Sequence, residues 1–302
     1  MNESKNFILA LDIGGTYIKY AIMDDAFNFY EHGKLRNMLG SNLTNFYLEL
    51  RNLYAKVKPK YDLKGVAISS LGIINCSHTK VFWCSKKFAK YRNFSFSLTF
   101  NHLPIYLEND VNSACVGEAK FGILRYIKDA IMITLGTGIG GGIIVNSQLY
   151  RGNNNFAGEV GSMHMQNNLT WEETASVKAL INNCPYPNLT SHKILELAKT
   201  DQLINEYVKN WYHNIAIGVL NLCYILNPRT FVIGGGISED PNFDLQQIKN
   251  EIYAFLQDNY FLVNNFTLQK AKLGNDAALY GVSYLFFKKY FSNNNDDGKE
   301  RK

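Results

Sequence analysis

Residues 7–23 read FILALDIGGTYIKYAIM and residues 130–145 read AIMITLGTGIGGGIIV. In each, an apolar run enters a glycine-rich knot and a second run, rich in β-branched residues, comes back from it. Phe7 to Asp12 reads as a buried strand, Gly14-Gly15-Thr16 as a tight turn and Tyr17 to Met23 as the returning strand. Ala130 to Leu135 is likewise a strand, Gly136 to Gly141 a turn and Gly142 to Val145 a strand. The second turn satisfies G-x-G-x-x-G. A dinucleotide fingerprint needs a helix directly after that turn, whereas Gly142-Ile143-Ile144-Val145 is strand-forming. No G-x-x-x-x-G-K-[ST] occurs, so a P-loop is excluded as well. There remain two strand–turn–strand hairpins. Their glycines either let backbone N–H groups approach a phosphate chain with no Cβ in the way, or are ordinary hairpin turns. A third strand, Thr230 to Ile233, runs into Gly234-Gly235-Gly236. The near-repetition predicts two related lobes facing one nucleotide.

Outward from the hairpins, strands and helices alternate, which points to an α/β architecture. Leu43 to Val57 carries apolar residues at helical spacing, and Gly65 to Ser69 is a strand. A strand from Pro104 to Leu107 delivers Glu108-Asn109-Asp110 to a helix from Val111 to Phe121, where an acidic residue suits the helix start. Leu203 to Leu226 is the longest helix, ended by Asn227-Pro228 because proline disfavours helical geometry in the residue before it. The tail from Ser292 to Lys302 is asparagine-rich and charged, so disorder is expected there.

The 302 residues suffice for two cores, and 46% apolar residues is ordinary for a folded protein. Lys+Arg 31 against Asp+Glu 26 gives a net charge of +5, permissive for nucleotides but too small and scattered for a nucleic-acid groove. The five cysteines, Cys76, Cys84, Cys115, Cys184 and Cys223, are odd in number and form no C-x-x-C pair. That argues against a disulfide scaffold or a zinc knot and for a reducing compartment. Met1 to Lys5 is polar and runs straight into a strand, with no signal-peptide core, so a cytoplasmic protein is expected. The longest apolar stretch, Ile215 to Leu226, is interrupted by Gly218 and Asn221 and falls short of the about 20 residues a membrane span needs.

With these residues in hand, the chain resembles the ROK family, which groups bacterial sugar kinases with sugar-responsive repressors. The resemblance runs in order through Leu11 to Thr16, Glu108 to Asn112, Leu135 to Gly140, Ala157 to Gly161, Ala175-Ser176, Val232 to Gly236 and Leu273 to Ala277. It implies a two-lobed actin-like ATPase (ribonuclease H-like) fold, each lobe a mixed sheet flanked by helices, with a cleft between them. One lobe would be residues 1–115 joined by a C-terminal helix 276–291. The other would be residues 116–275, carrying nucleotide and sugar contacts and a dimer interface. The implied activity is transfer of the γ-phosphate of ATP, with Mg²⁺, to a sugar hydroxyl, the 6-OH of glucose or a related hexose. N-acetylmannosamine, a β-glucoside and fructose are the alternatives. The resemblance puts the catalytic base on Asp110 and sugar ligands on Asn109, Glu159 and Glu172, with Ser70 and Gly72 in the neighbouring loop. It puts the Mg²⁺-organising carboxylate on Asp12. Phosphate and nucleotide contacts would fall on Gly14, Gly15, Thr16, Lys19, Gly136, Thr137 and Gly138, with Gly234, Gly235 and Gly236 against the adenosine.

The chain departs from the family pattern twice. Ser162 stands where the zinc module has histidine, and no cysteine lies between Cys115 and Cys184, so no structural zinc is expected; a lone His164 is more often a surface or core residue than a ligand. Leu71 replaces a common proline in Ser70-Leu71-Gly72. Phe82, Trp83, Phe88 and Tyr91 are read either as core or as a sugar subsite. Two rival readings remain. A DNA-binding repressor would need a helix-turn-helix, for which little room precedes Asp12. A non-catalytic sugar-binding protein would share the fold without the chemistry.

Overall fold

The computed structural model describes residues 5–256 and 266–292; residues 293–302 of the tail expected above lie outside them. The chain divides into two compact units, Met1–Gly117 with Asp276–Lys302, and Glu118–Asn275. Among the described residues no helix is long and apolar enough to cross a membrane.

In the first unit, β1 (Phe7–Ile13), β2 (Tyr17–Met23), β3 (Phe29–Arg36), β4 (Leu63–Ser70) and β7 (Ile105–Asn109) form a sheet in the order β3-β2-β1-β4-β7. The β1–β2 and β2–β3 pairs are antiparallel, β1–β4 and β4–β7 parallel. A small ribbon, β5 (Ile73–Ile74) with β6 (Val81–Trp83), follows β4. Side chains alternate across the sheet, so β1 feeds two cores. Leu9, Leu11 and Ile13 pack with the helix Leu43–Val57, which buries Phe46, Leu50, Leu53, Tyr54 and Val57. That helix starts cleanly because the Asn42 side chain accepts from the Thr44 and Asn45 N–H groups. Ile8 and Ala10 face the other way, towards Leu279, Val282, Phe286 and Phe287 of the helix Ala277–Phe291.

In the second unit, β8 (Ala130–Leu135), β9 (Ile139–Val145), β10 (Gln148–Tyr150), β11 (Thr230–Gly234) and β12 (Thr267–Lys270) take the order β10-β9-β8-β11-β12. Pairing senses repeat those of the first unit. Both units therefore carry the same first-to-fifth strand order, 3-2-1-4-5, the mixed ribonuclease H-like sheet. The long helix Gln202–Leu226 buries Trp211, Ile215 and Val219 against a core that includes Ile131, Ile133, Leu135 and Trp171. Asp201 caps its start by accepting from the Ile204 N–H, and Asn227, in the left-handed region at φ 44°, ends it.

The second glycine turn is shorter than the sequence suggests. β9 begins at Ile139, so Gly140 and Gly141 are strand residues opposite Thr134 and Ile133, and only Gly136–Gly138 form the turn. Gly141 donates its N–H to the Gly158 carbonyl at 2.8 Å, an approach that a side chain would obstruct.

Candidate active site

The candidate residues of the first unit meet at the carboxyl ends of β1, β4 and β7, the edge where parallel sheets place their ligand sites. Strand parity decides which side chains share a face. Asp12 continues the Ile8–Ala10 face and Ser69 the Ala67 face, and the Ser69 hydroxyl donates to Asp12 Oδ1 at 2.8 Å. Lys19, opposite Asp12 in register, brings its Nζ to 3.8 Å from Oδ2. Burial holds the Asp12 carboxyl above its ordinary value, against the opposing pull of Ser69 and Lys19. A hard oxygen donor whose burial is only partly offset suits a hydrated divalent cation such as Mg²⁺, so the residues present fit that ion.

Ser70, one residue on, falls on the opposite face. Its hydroxyl is fully buried and shares a 2.8 Å hydrogen bond with the buried Tyr91 hydroxyl. Gly72 sits at φ +92°, and its carbonyl accepts from Asn109 Nδ2 at 3.2 Å. Asn109 ends β7, and its Oδ1 accepts from the Val111 and Asn112 N–H groups, capping the helix Asp110–Phe121. The helix thus starts one residue earlier than the sequence indicates. Asp110 is its first residue, half-buried, with Oδ1 accepting from Val111 N–H at 3.0 Å. Behind it, the fully buried Glu108 accepts from the Asn109 N–H and from Asn112 Nδ2, and lies 3.7 Å from His78 Nδ1. In the first hairpin, Gly15 and Thr16 are exposed at the tip, and Asn37 Nδ2 donates to the Gly14 carbonyl at 2.6 Å. Sequence reading missed Ser69, Glu108 and Asn37. Parity with Asp12 would have found Ser69.

In the second unit, Thr137 is exposed at the tip of the turn, and the Gly136 N–H donates to the Gly138 carbonyl at 3.0 Å. The Val177 N–H donates to the Gly136 carbonyl at 2.9 Å, tying the turn to the helix Val177–Asn182. Just before that helix, Trp171–Ala175 carries Glu172, whose Oε2 would lie 2.6 Å from a Cβ built on Gly138. Gly138 therefore leaves room for the carboxylate. Glu159 is half-buried nearby, and its carboxyl is raised above the ordinary range by burial first and by the like charge of Glu172 second. Gly235, at φ +88°, lies against the backbone of Leu135, where a Cβ would come within 2.4 Å of the carbonyl oxygen. The unit thus brings together Gly136–Gly138, Gly234–Gly236, Glu159 and Glu172.

Ser162 and His164 are both exposed, and among the described residues no three His, Cys, Asp or Glu side chains cluster as a metal site. The aromatic quartet splits: Tyr91 is buried and Phe88 packs on the core beside it, while Phe82 and Trp83 are exposed on β6.

The profile of the ROK family matches residues 8–289. A β-glucoside kinase of Listeria monocytogenes is 28% identical over 302 residues, covering 92% of this chain and 97% of the kinase. A xylose repressor of Bacillus spizizenii is 25% identical, covering 94% of this chain and 78% of the repressor. A crystal structure of a ROK family protein from Streptococcus pneumoniae in complex with sucrose superposes with a TM-score of 0.80 at 26% identity, covering 94% of this chain and 98% of that one.

Proposed function

The chain belongs to the ROK family, and from that premise we propose that it is an ATP-dependent sugar kinase in which Asp110 orients and deprotonates the acceptor hydroxyl. The observation that carries the reading is the convergence of Asp12, Ser69, Asn109 and Asp110 at the carboxyl ends of three adjacent strands. A binding protein needs recognition groups, but it has no use for a carboxylate whose burial is only partly offset, at the same sheet edge as a second carboxylate on a helix start. The β-glucoside kinase similarity supports the same class.

Phosphoryl transfer passes through a loose transition state, so the protein's work is to align the nucleophile and to neutralise charge spreading over the phosphoryl oxygens. Asp110, at the positive end of its helix, accepts the hydroxyl proton late in the transfer. Asn109 has its oxygen committed to the helix cap and one amide hydrogen to Gly72, so it holds the Ser70–Gly72 loop and Asp110 in fixed register and keeps one amide hydrogen for a sugar oxygen. Because the Ser70 hydroxyl is turned inward to Tyr91, the sugar contact of that loop comes from its backbone. Glu159 and Glu172 accept hydrogen bonds from sugar hydroxyls, and paired carboxylates of this kind reject analogues that lack them. Gly14 to Thr16 and Gly136 to Gly138 offer backbone N–H groups to the phosphates, and Gly234 to Gly236 a flat backbone surface to the nucleoside. Asp12 would hold Mg²⁺ through its water shell, and the ion would neutralise the phosphate charge.

The acceptor is a hexose or hexoside, and glucose or its β-glucoside is the first to test. Purified full chain is incubated with Mg·ATP and a panel of glucose, N-acetylmannosamine, fructose and a β-glucoside, with product identified by mass. A sugar phosphate formed in step with ADP supports the reading. ADP release that no sugar stimulates refutes it.

A further inference from the structure

The second unit contains a cavity of about 580 Å³ that none of the proposed chemistry uses. It lies between the long helix Gln202–Leu226 and the segment that runs from His164 into the helix Trp171–Ala175. Six primary carboxamides line it: Gln166, Asn167, Asn183, Asn210, Asn214 and Asn221. Asn210, Asn214 and Asn221 recur at i, i+4 and i+11 of one helix, which sets a polar stripe along it, and Asn221 interrupts the longest apolar stretch of the sequence.

The pattern of hydrogen bonds leaves the carboxamides available to a ligand. Two aromatic groups of the wall have already spent their polar atoms: the Tyr207 hydroxyl donates to the Leu180 carbonyl at 2.8 Å, and Trp211 Nε1 donates to the Ser176 carbonyl at 3.2 Å. None of the six carboxamide side chains bonds to another described residue of the chain. Each carboxamide offers donors and an acceptor without charge. The lining contains no lysine or arginine, and its one carboxylate, Glu173, is held by the Thr170 N–H and hydroxyl at 2.8 Å each. A lining with no cation, one carboxylate and many uncharged donors and acceptors disfavours phosphates and carboxylates, which would be desolvated without a counter-charge. It suits a ligand that is itself neutral and carries many hydroxyls, and the volume falls within the roughly 300–1,000 Å³ of small-molecule sites.

We propose that this cavity is a second saccharide site, separate from the one holding Glu159 and Glu172, that takes an unphosphorylated sugar of one or two rings. A physical route joins the two. Trp171 lies beneath the cavity, its Nε1 donating to the Asn214 carbonyl at 2.9 Å, and its ring packs so tightly on Gly218 that a Cβ there would come within 1.9 Å. The next two residues divide between the sites: Glu172 turns to Gly138 and Glu173 lines the cavity. A sugar that tightens this turn changes the position of Glu172, and by reciprocity the affinity of either site depends on occupancy of the other.

Calorimetry on the full chain without nucleotide tests the site, with cellobiose and glucose as separate probes and glucose 6-phosphate as the charged control. The expected result is a neutral-sugar binding event that survives in Glu159→Gln, weakens at least tenfold in Asn210→Leu and in Asn221→Leu, and is absent for glucose 6-phosphate. Loss of all sugar binding in Glu159→Gln, insensitivity to both asparagine variants, or equal binding of glucose 6-phosphate overturns the proposal. So does the absence of any neutral-sugar binding to the wild type. Because the readout is binding without ATP, a chain that binds sugar here yet phosphorylates none would leave this site standing while refuting the kinase reading.

Discussion

Glu118→Gln changes one atom and should cost as much stability as the truncation of a core side chain. Glu118 is fully buried, and its carboxylate accepts three backbone N–H groups: Lys272 at 2.8 Å and Leu273 at 2.7 Å on Oε1, Ile123 at 2.8 Å on Oε2. Glutamine has a single oxygen. Turned towards Lys272 and Leu273, it points its NH₂ at the Ile123 N–H, so a donor meets a donor. Losing one charge-assisted bond and stranding a donor costs about 2–3 kcal/mol, and weakening the other two to neutral bonds adds about 1 kcal/mol. The opposite orientation strands two donors and costs more. The expected loss is therefore roughly 3–4 kcal/mol, in the unit that holds Glu118. Trp171 and Trp211 are buried in that same unit, whereas Trp83, in the other, is already half exposed. Tryptophan fluorescence during urea unfolding therefore reports the relevant transition. A shift in that transition worth less than about 1 kcal/mol would refute the three-bond account.

Glu159→Gln should separate stability from function. The raised carboxyl of Glu159 means that the folded chain disfavours the ionised form, so the group's contribution to stability is full below the unfolded value and is lost as pH rises through the folded one. At pH 7 the glutamine variant should be as stable as the wild type or more so, while its sugar KM rises about 10–100-fold for loss of a charged hydrogen bond. A variant destabilised at pH 7 with unchanged KM would contradict both statements. For the same reason the wild-type KM should begin to rise, on acidification, at a higher pH than an ordinary glutamate would give. Gly138→Ala should fold, because the obstructing atom is the mobile end of Glu172, 2.6 Å from the new Cβ, but displacing that carboxylate should raise the sugar KM roughly tenfold. An unchanged KM would remove Glu172 from the sugar site.

What the sequence disclosed, and what it hid, follow from the range of the forces involved. The helix Leu43–Val57 and both hairpin strands were legible because their periodicity is local and agrees with the tertiary core. β10 and β12 were not, since a strand of three or four residues is decided by its neighbour in the sheet. The start of the helix Asp110–Phe121 was misplaced by one residue because the cap is Asn109, whose side chain serves two N–H groups at once. Ser69 and Ser70 look equivalent in sequence, and only strand parity separates the partner of Asp12 from the partner of Tyr91. Glu118 could not be read at all, because two of its three partners, Lys272 and Leu273, lie more than 150 residues away along the chain.

Asp110→Asn is the most direct probe of the central claim. The substitution keeps the shape of the side chain and a carbonyl oxygen to accept the Val111 N–H, so the variant should fold and bind Mg·ATP and sugar like the wild type. Transfer of radiolabelled γ-phosphate from ATP to sugar should fall about 10²–10⁴-fold, the usual worth of a positioned general base. Transfer within about tenfold of the wild-type rate, by a variant shown to bind both substrates, would mean that Asp110 is not the group that takes the proton.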